Sequence, residues 1–252
     1  MSKKVWCTGA GKGLGRSVAL KLTKQGHDVA ISARTSSDLD AVAEAAAAHP
    51  GRIVPFVLDV TDENAVFRVV AEIENDFGPL DLVILNAGTH IPVHAASIAV
   101  QPFRDLLETN VMGGIHCLAA ILPRFIERGR GHVAVVASVA GYRGLPTAAA
   151  YGATKAGLIN MCEALKPELD CAGVTLSVIN PGFVKTPLTD KNDFAMPFLM
   201  DADDAAEQMV RGLESGRFEI TFPKRFTWGM KLLRCLPYTL YFAVVRQLVA
   251  KS

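Results

Sequence analysis

Seven short apolar, β-branched runs alternate along this chain with longer stretches of helical periodicity. The runs fall at 4–8, 28–33, 53–58, 82–86, 132–138, 175–179 and 218–222. The helical stretches fall at 14–25, 37–48, 62–77, 103–128, 151–172 and 202–215. Most of the runs are apolar at nearly every position, as strands are when both faces of a parallel sheet are covered. Thr61 and Asp201 offer N-caps, and Gly26, Gly78 and Gly173 stand where helices should stop. The pattern predicts an α/β fold: a single Rossmann-type, doubly wound domain whose seven-stranded parallel sheet is flanked by helices. No Pro- or Ser-rich linker and no internal repeat divides it. We therefore expect one domain over 1–222, followed by an extension over 223–252.

Half of the 252 residues are apolar and a fifth are charged, which gives ample core and no sign of disorder. With 26 Lys and Arg against 25 Asp and Glu, the chain is not a strongly basic nucleic-acid binder. Five Cys without a CxxC argue against a disulfide scaffold and a structural zinc site. Only Val5, Trp6 and Cys7 separate the first lysines from the glycines, too short an apolar run for a secretory signal. The expected compartment is the reducing cytoplasm.

Thr8-Gly9-Ala10-Gly11-Lys12-Gly13-Leu14-Gly15 joins the first strand to the first helix. Glycines there let the backbone turn sharply and approach a pyrophosphate, which sits on the free N–H groups of the helix start. The spacing is neither GxGxxG nor a P-loop; it is TGxxxGxG. Further along come Asn86-Ala87-Gly88 at the end of the fourth strand, Asn110 early in a long helix, and Ser138 at the end of the fifth strand. Tyr151 and Lys155 then form YxxxK, and Pro181-Gly182 closes the sixth strand, with Val184 and Thr186 following. With these motifs in this order, the chain resembles the short-chain dehydrogenases/reductases over roughly residues 3 to 222.

The resemblance implies a nicotinamide dinucleotide held by Gly9, Lys12, Gly13, Leu14, Gly15, Asn86, Ala87, Gly88, Pro181, Gly182, Val184 and Thr186, together with Tyr151 and Lys155. The carboxylate that would take the adenosine ribose hydroxyls about twenty residues past the glycines is missing: that position is Ala33, followed by Arg34. Arg34 and Lys12 would hold a 2′-phosphate by charge-assisted hydrogen bonds, so NADP(H) is expected over NAD(H). The other reading leaves both cations solvated. Asp59, with Val60 beside it, matches the family position that contacts the adenine amino group; as an alternative it is an acid at the start of the following helix.

Carbonyl reduction needs a hydride donor, a group polarising the carbonyl and a proton for the developing alkoxide. Tyr151 is the candidate acid. A free phenol has a pKa of about 10, and a nearby ammonium favours its ionised form. Four residues apart on a helix, Tyr151 and Lys155 share one face. The resemblance implies that Lys155 also bonds the nicotinamide ribose, that Ser138 bonds the substrate oxygen, and that Asn110 holds a water on a proton path. The expected function is an NADP(H)-dependent oxidoreductase interconverting a carbonyl and a secondary alcohol, in the reductase direction on an apolar ketone or aldehyde. The alternatives are a non-catalytic NADP(H)-binding sensor or scaffold and a lipid-directed reductase at a membrane surface. Family members are commonly homodimers or homotetramers.

No metal site is expected: Pro92 separates His90 from His94 and no third ligand is apparent. The segment from Phe183 to Met200, with Phe194, Met196, Phe198 and Leu199, falls where the family carries a substrate lid. It would give an apolar pocket, or it packs on the core or a neighbouring subunit. Residues 223–252 carry six basic residues and no acidic one. Tyr238, Tyr241, Phe242, Val245, Leu248 and Val249 recur there at helical spacing and give one apolar face. This face packs on its own or a partner subunit, walls the substrate pocket, or lies on an anionic membrane.

Overall fold

The protein is described by a computed structural model over residues 2–191 and 196–249. Among these residues, seven parallel strands form one sheet: β1 (Lys4–Thr8), β2 (Asp28–Ala33), β3 (Ile53–Val57), β4 (Leu82–Leu85), β5 (Gly131–Val136), β6 (Val174–Pro181) and β7 (Glu219–Phe222). Their spatial order is β3-β2-β1-β4-β5-β6-β7. The helices between them are α1 (Gly13–Lys24), α2 (Ser36–Ala45), α3 (Glu63–Phe77), α4 (Val100–Leu106), α5 (Gly113–Arg128), α6 (Ala149–Cys171) and α7 (Ala202–Glu214). Two more, α8 (Lys224–Cys235) and α9 (Tyr238–Val249), follow the last strand.

Side chains alternate across each strand, so neighbouring residues enter different cores. Val5 and Cys7 of β1 join α1, α2 and α7 through Val18, Leu22, Leu39, Val42 and Met209. Trp6 between them faces α3, α5 and α6 through Val70, Ile73, Ile121, Phe125 and Leu158. This two-sided burial explains why the strand sequences are apolar throughout. β1 pairs with β2 on one side and β4 on the other, so the winding reverses there. The loops leaving the C-terminal ends of β1 and β4 part at that point and open a crevice.

Three expectations change at the element ends. The cap of α3 is Asp62, whose side chain accepts from Ala65 N at 2.9 Å. Thr61 instead gives its amide and hydroxyl to Asp59. Asp201 precedes α7 without a side-chain capping bond. The stretch 103–128 begins earlier, at Val100, and is not uniformly α-helical: Leu107–Met112 forms a π segment, so Asn110 sits within the helix and not near its start. The extension folds as two helices parted at Leu236 and Pro237. Of its expected apolar face Tyr241 is buried and Val245 half-buried, while Tyr238 and Phe242 are exposed, because the body offers only the edge around Arg143 and Gly144 to pack on.

Candidate active site

The turn after β1 is built for close approach. Gly9 has φ +64°, and a Cβ there would lie 2.7 Å from Ala87 Cα. A Cβ on Gly15 would lie 2.4 Å from Gly9 O. Thr8 Oγ1 accepts from the amides of Asn86 (3.0 Å) and Ala87 (3.1 Å), and Asn86 Nδ2 donates to Thr8 O (3.1 Å) and Gly9 O (3.0 Å). Asn86 therefore braces the turn against the end of β4. α1 begins with no side-chain cap and no acid in its first turn, which leaves its leading N–H groups and positive end at the crevice. Gly13 touches Thr186 of the loop after β6, and Leu14 packs into the α1 core.

The pair expected to read a 2′-phosphate is split. Arg34 is exposed, with no ion pair among the described residues. Lys12 instead pairs with Asp38 Oδ2 at 3.0 Å. Asp38 lies in the first turn of α2 and packs against Gly11, which brings its carboxylate within reach. Asp59 Oδ1 takes both Thr61 bonds, leaving Oδ2 without a hydrogen bond among the described residues. Val60 is a buried spacer against Gly113, and its carbonyl is hydrogen-bonded to His116 Nδ1.

Tyr151, Lys155, Ser138 and Asn110 converge at the same crevice. Ser138 lies two residues beyond β5, where its buried Oγ accepts from Ala140 N (3.1 Å) and faces the Tyr151 hydroxyl. Lys155 Nζ stands 5.6 Å from the Tyr151 ring centroid and donates to Val136 O at 2.9 Å. Burial pushes the Tyr151 phenol up to about 12, opposed by the Ser138 hydroxyl, and pulls Lys155 down to about 8. The expected lowering of the phenol by the neighbouring ammonium does not dominate. Here the side chain of Lys155 is turned to a backbone carbonyl, so burial prevails. The Tyr151 ring packs with Ile91, Val93, Phe103 and Leu106, and His90 meets it edge-on at 4.9 Å.

Asn110 serves as a brace. Its Oδ1 accepts from Thr89 N (2.7 Å), and its Nδ2 donates to Thr89 O (3.0 Å) and Thr154 Oγ1 (3.1 Å). Gly88 makes room for this, since a Cβ there would lie 3.2 Å from Asn110 Oδ1 and 3.6 Å from Lys155 Nζ. Behind it, Thr8, Ala87, Asn110 and Val136 line a cavity of about 10 Å³, the size of one water. Sequence reasoning passed over Thr154, although it lies inside YxxxK, and Thr89, for which no local signal exists.

Pro181 ends β6, and Gly182 N bonds Phe222 O at 2.7 Å. The two ends of the following loop meet where buried Val184 bridges to Met200. Thr186 N donates to Thr189 Oγ1. Phe194 lies outside the described residues. Phe226 of α8 packs against Gly182 and the rings of Phe183 and Phe198, at centroid distances of 5.4 and 6.1 Å. His94 is exposed and apart from this cluster, and among the described residues no three His, Cys, Asp or Glu side chains gather to hold a metal.

A phenol, a hydroxyl and a lysine at the switch point of a doubly wound sheet define an oxidoreductase of the dinucleotide-binding type. The family description short chain dehydrogenase matches residues 3–196. An uncharacterized oxidoreductase of Myxococcus xanthus is 39% identical over 241 residues, covering 96% of this chain and 95% of that one. The 3-oxoacyl-acyl-carrier-protein reductase FabG of Staphylococcus aureus is 31% identical, covering 86% and 85%. A crystal structure of a short-chain dehydrogenase from Streptomyces avermitilis superposes with a TM-score of 0.82 at 25% identity, over 100% of this chain and 96% of that one. ElxO with NADP bound gives 0.79 at 25% identity, over 88% and 98%. A Burkholderia phymatum short-chain dehydrogenase/reductase in complex with NAD gives 0.84 at 22%, over 92% of each chain. This chain belongs to the short-chain dehydrogenase family and is an oxidoreductase acting on CH–OH groups. Among these neighbours in the fold, ElxO holds NADP and the Burkholderia phymatum protein holds NAD. The residues present fit such a dinucleotide: the glycine turn would be closed by any Cβ, and the uncapped start of α1 suits a pyrophosphate.

Proposed function

We propose that the protein is an NADP(H)-dependent reductase of apolar ketones or aldehydes. The observation that carries this is the gathering of the buried Tyr151 phenol, the Ser138 hydroxyl and Lys155 at the crevice, with Lys155 Nζ 5.6 Å from the Tyr151 ring centroid. Bound NADPH would supply the hydride. Ser138 and Tyr151 would share the substrate oxygen, and Tyr151 would give its proton to the alkoxide as it forms. A phenol held neutral by burial suits that direction, because oxidation would need it ionised first. Lys155, charged at neutral pH, would steady the phenolate left behind and hold the nicotinamide ribose. The phenolate would be reprotonated from Lys155, and Lys155 in turn from solvent through a water held by Asn110, which lines the water-sized cavity and fixes Thr89 and Thr154 beside it.

Arg34 supports NADP(H), and Asp38, which neutralises Lys12, weakens that support to one cation. Asp59 Oδ2 would take the adenine amino group. Gly9, Gly13, Leu14 and Gly15 would take the pyrophosphate, and Ala87, Gly88, Pro181, Gly182, Val184 and Thr186 the nicotinamide half. Phe183, Phe198 and Phe226 favour an apolar substrate, and the likeness to a 3-oxoacyl reductase directs attention to acyl chains. A homodimer or homotetramer would follow the family habit.

The test is NADPH oxidation over a panel of apolar ketones, aldehydes and 3-oxoacyl thioesters. Turnover should be lost in Tyr151→Phe. Arg34→Ala should raise KM for NADPH by about tenfold to a hundredfold and leave NADH unaffected. Equal efficiency of the two cofactors in the parent protein would remove the NADP(H) assignment.

A further inference from the structure

The extension presents a surface that is at once apolar, aromatic, cationic and uncovered. Trp228 and Leu232 lie one turn apart on α8, and Tyr238, Leu240, Phe242 and Val244 lie on α9. All six are at least 43% exposed. α9 carries a single charge, Arg246, and meets the body at Arg143, which lies over the rings of Tyr238 and Tyr241, and at Gly144 O, which accepts from the Tyr241 hydroxyl. A helix apolar on most of its sides requires cover.

Charge decides what covers it. The thirty residues after Phe222 hold six cations and no acid, whereas the remainder holds twenty basic against twenty-five acidic residues. Lys231 is paired with Glu219, but Lys224, Arg225, Arg234 and Arg246 are exposed. A second copy meeting this face across a two-fold axis would set cations against cations. An anionic bilayer satisfies both demands, with phosphates for the cations, a headgroup zone for Trp and Tyr, and acyl chains for the aliphatic side chains.

We propose that α8 and α9 seat this protein on an anionic membrane surface. This inference does not rest on the catalytic reading. The inner side of α8 carries Phe226 against Gly182, Phe183 and Phe198. Phe183 and Phe198 are thereby held beside the lipid, where an apolar carbonyl compound would dissolve.

The chain has two tryptophans, and Trp6 is sealed in the core, so Trp228 reports on the surface. The full chain is sedimented with vesicles of phosphatidylcholine alone or mixed with phosphatidylglycerol, and its emission is recorded. Binding to the mixed vesicles with a blue shift is expected, weaker by about tenfold or more on phosphatidylcholine alone or in molar salt. The double variant Trp228→Glu, Leu232→Glu should lose vesicle binding with its Tm and NADPH affinity unchanged, since both positions are exposed. Failure to bind either vesicle overturns the proposal, as does equal binding to both. A chain inert to vesicles but dimeric, and rendered monomeric by Trp228→Glu, would show that a second copy covers the face instead.

Discussion

Tyr151 and Lys155 meet opposite penalties from the same crevice. Burial keeps the phenol protonated and disfavours the ammonium, so at neutral pH the phenol retains its proton and the cation is held at some cost in stability. Tyr151→Phe should lower kcat by about a thousandfold or more and change the NADPH Kd by no more than about twofold; stopped-flow turnover and fluorescence titration measure the two. For Lys155 the folded pKa of about 8 lies below the unfolded 10.5. The unfolded chain therefore binds the extra proton between those values, and stability rises with pH across that window. Lys155→Met, which removes the buried charge at similar length, should stabilise the cofactor-free protein below pH 8 by about 1–3 kcal/mol while abolishing activity. A lower urea midpoint at pH 7 would show that the bond to Val136 O outweighs the charge penalty. The residues of this site were legible because their spacing encodes a shared helix face and a glycine turn. Their partners were not: Asp38 reaches Lys12, and Thr89 reaches Asn110, only after folding brings distant segments together.

Glu219 shows how one residue of an edge strand organises the elements around it. From β7 it accepts from the Tyr142 hydroxyl, Asn180 Nδ2 and Lys231 Nζ, and so links the turn after Ser138, the end of β6 and α8. Burial alone would raise its pKa, but these donors hold it below the usual carboxylate range. Glu219→Ala should cost about 2 kcal/mol and loosen α8. Trypsin should then cut faster at Lys224 and Arg225 while the body stays intact, and an unchanged cleavage rate would mean that α8 is held by Met230 and Phe226 alone. The strands β1 and β2 begin and end where their apolar runs do, because charged or glycine residues flank them. The π segment at Leu107–Met112 left no mark on the hydrophobic period, since one widened turn shifts the face by less than the pattern resolves. Pro237 cannot continue α8 and so parts it from α9, and which side of α9 meets the body depends on Arg143, which lies on another loop.

At the scale of the molecule, the sheet was legible because two-sided burial writes itself into every strand, and the crevice because parallel winding puts every following loop at one edge. The same burial makes the fold sensitive to acid in a predictable window. His132 on β5 is hydrogen-bonded to Ser177 Oγ of β6 at 2.9 Å, and burial, with Lys3 adding, lowers its pKa to about 4. The unfolded imidazole titrates near 6.5. Between those values the unfolded chain binds a proton that the folded chain refuses, so stability is lost as pH falls from 6.5 towards 4, by up to about 3 kcal/mol. The carboxylates of Glu74 and Glu219, whose pKa values are lowered, add their losses only below their unfolded value of 4.5. His132→Gln keeps a side-chain amide for Ser177 and cannot take the proton. Urea midpoints measured from pH 7 to pH 4.5 should therefore fall in the parent and stay nearly level in the variant. Parallel curves would place the acid sensitivity elsewhere in the sheet.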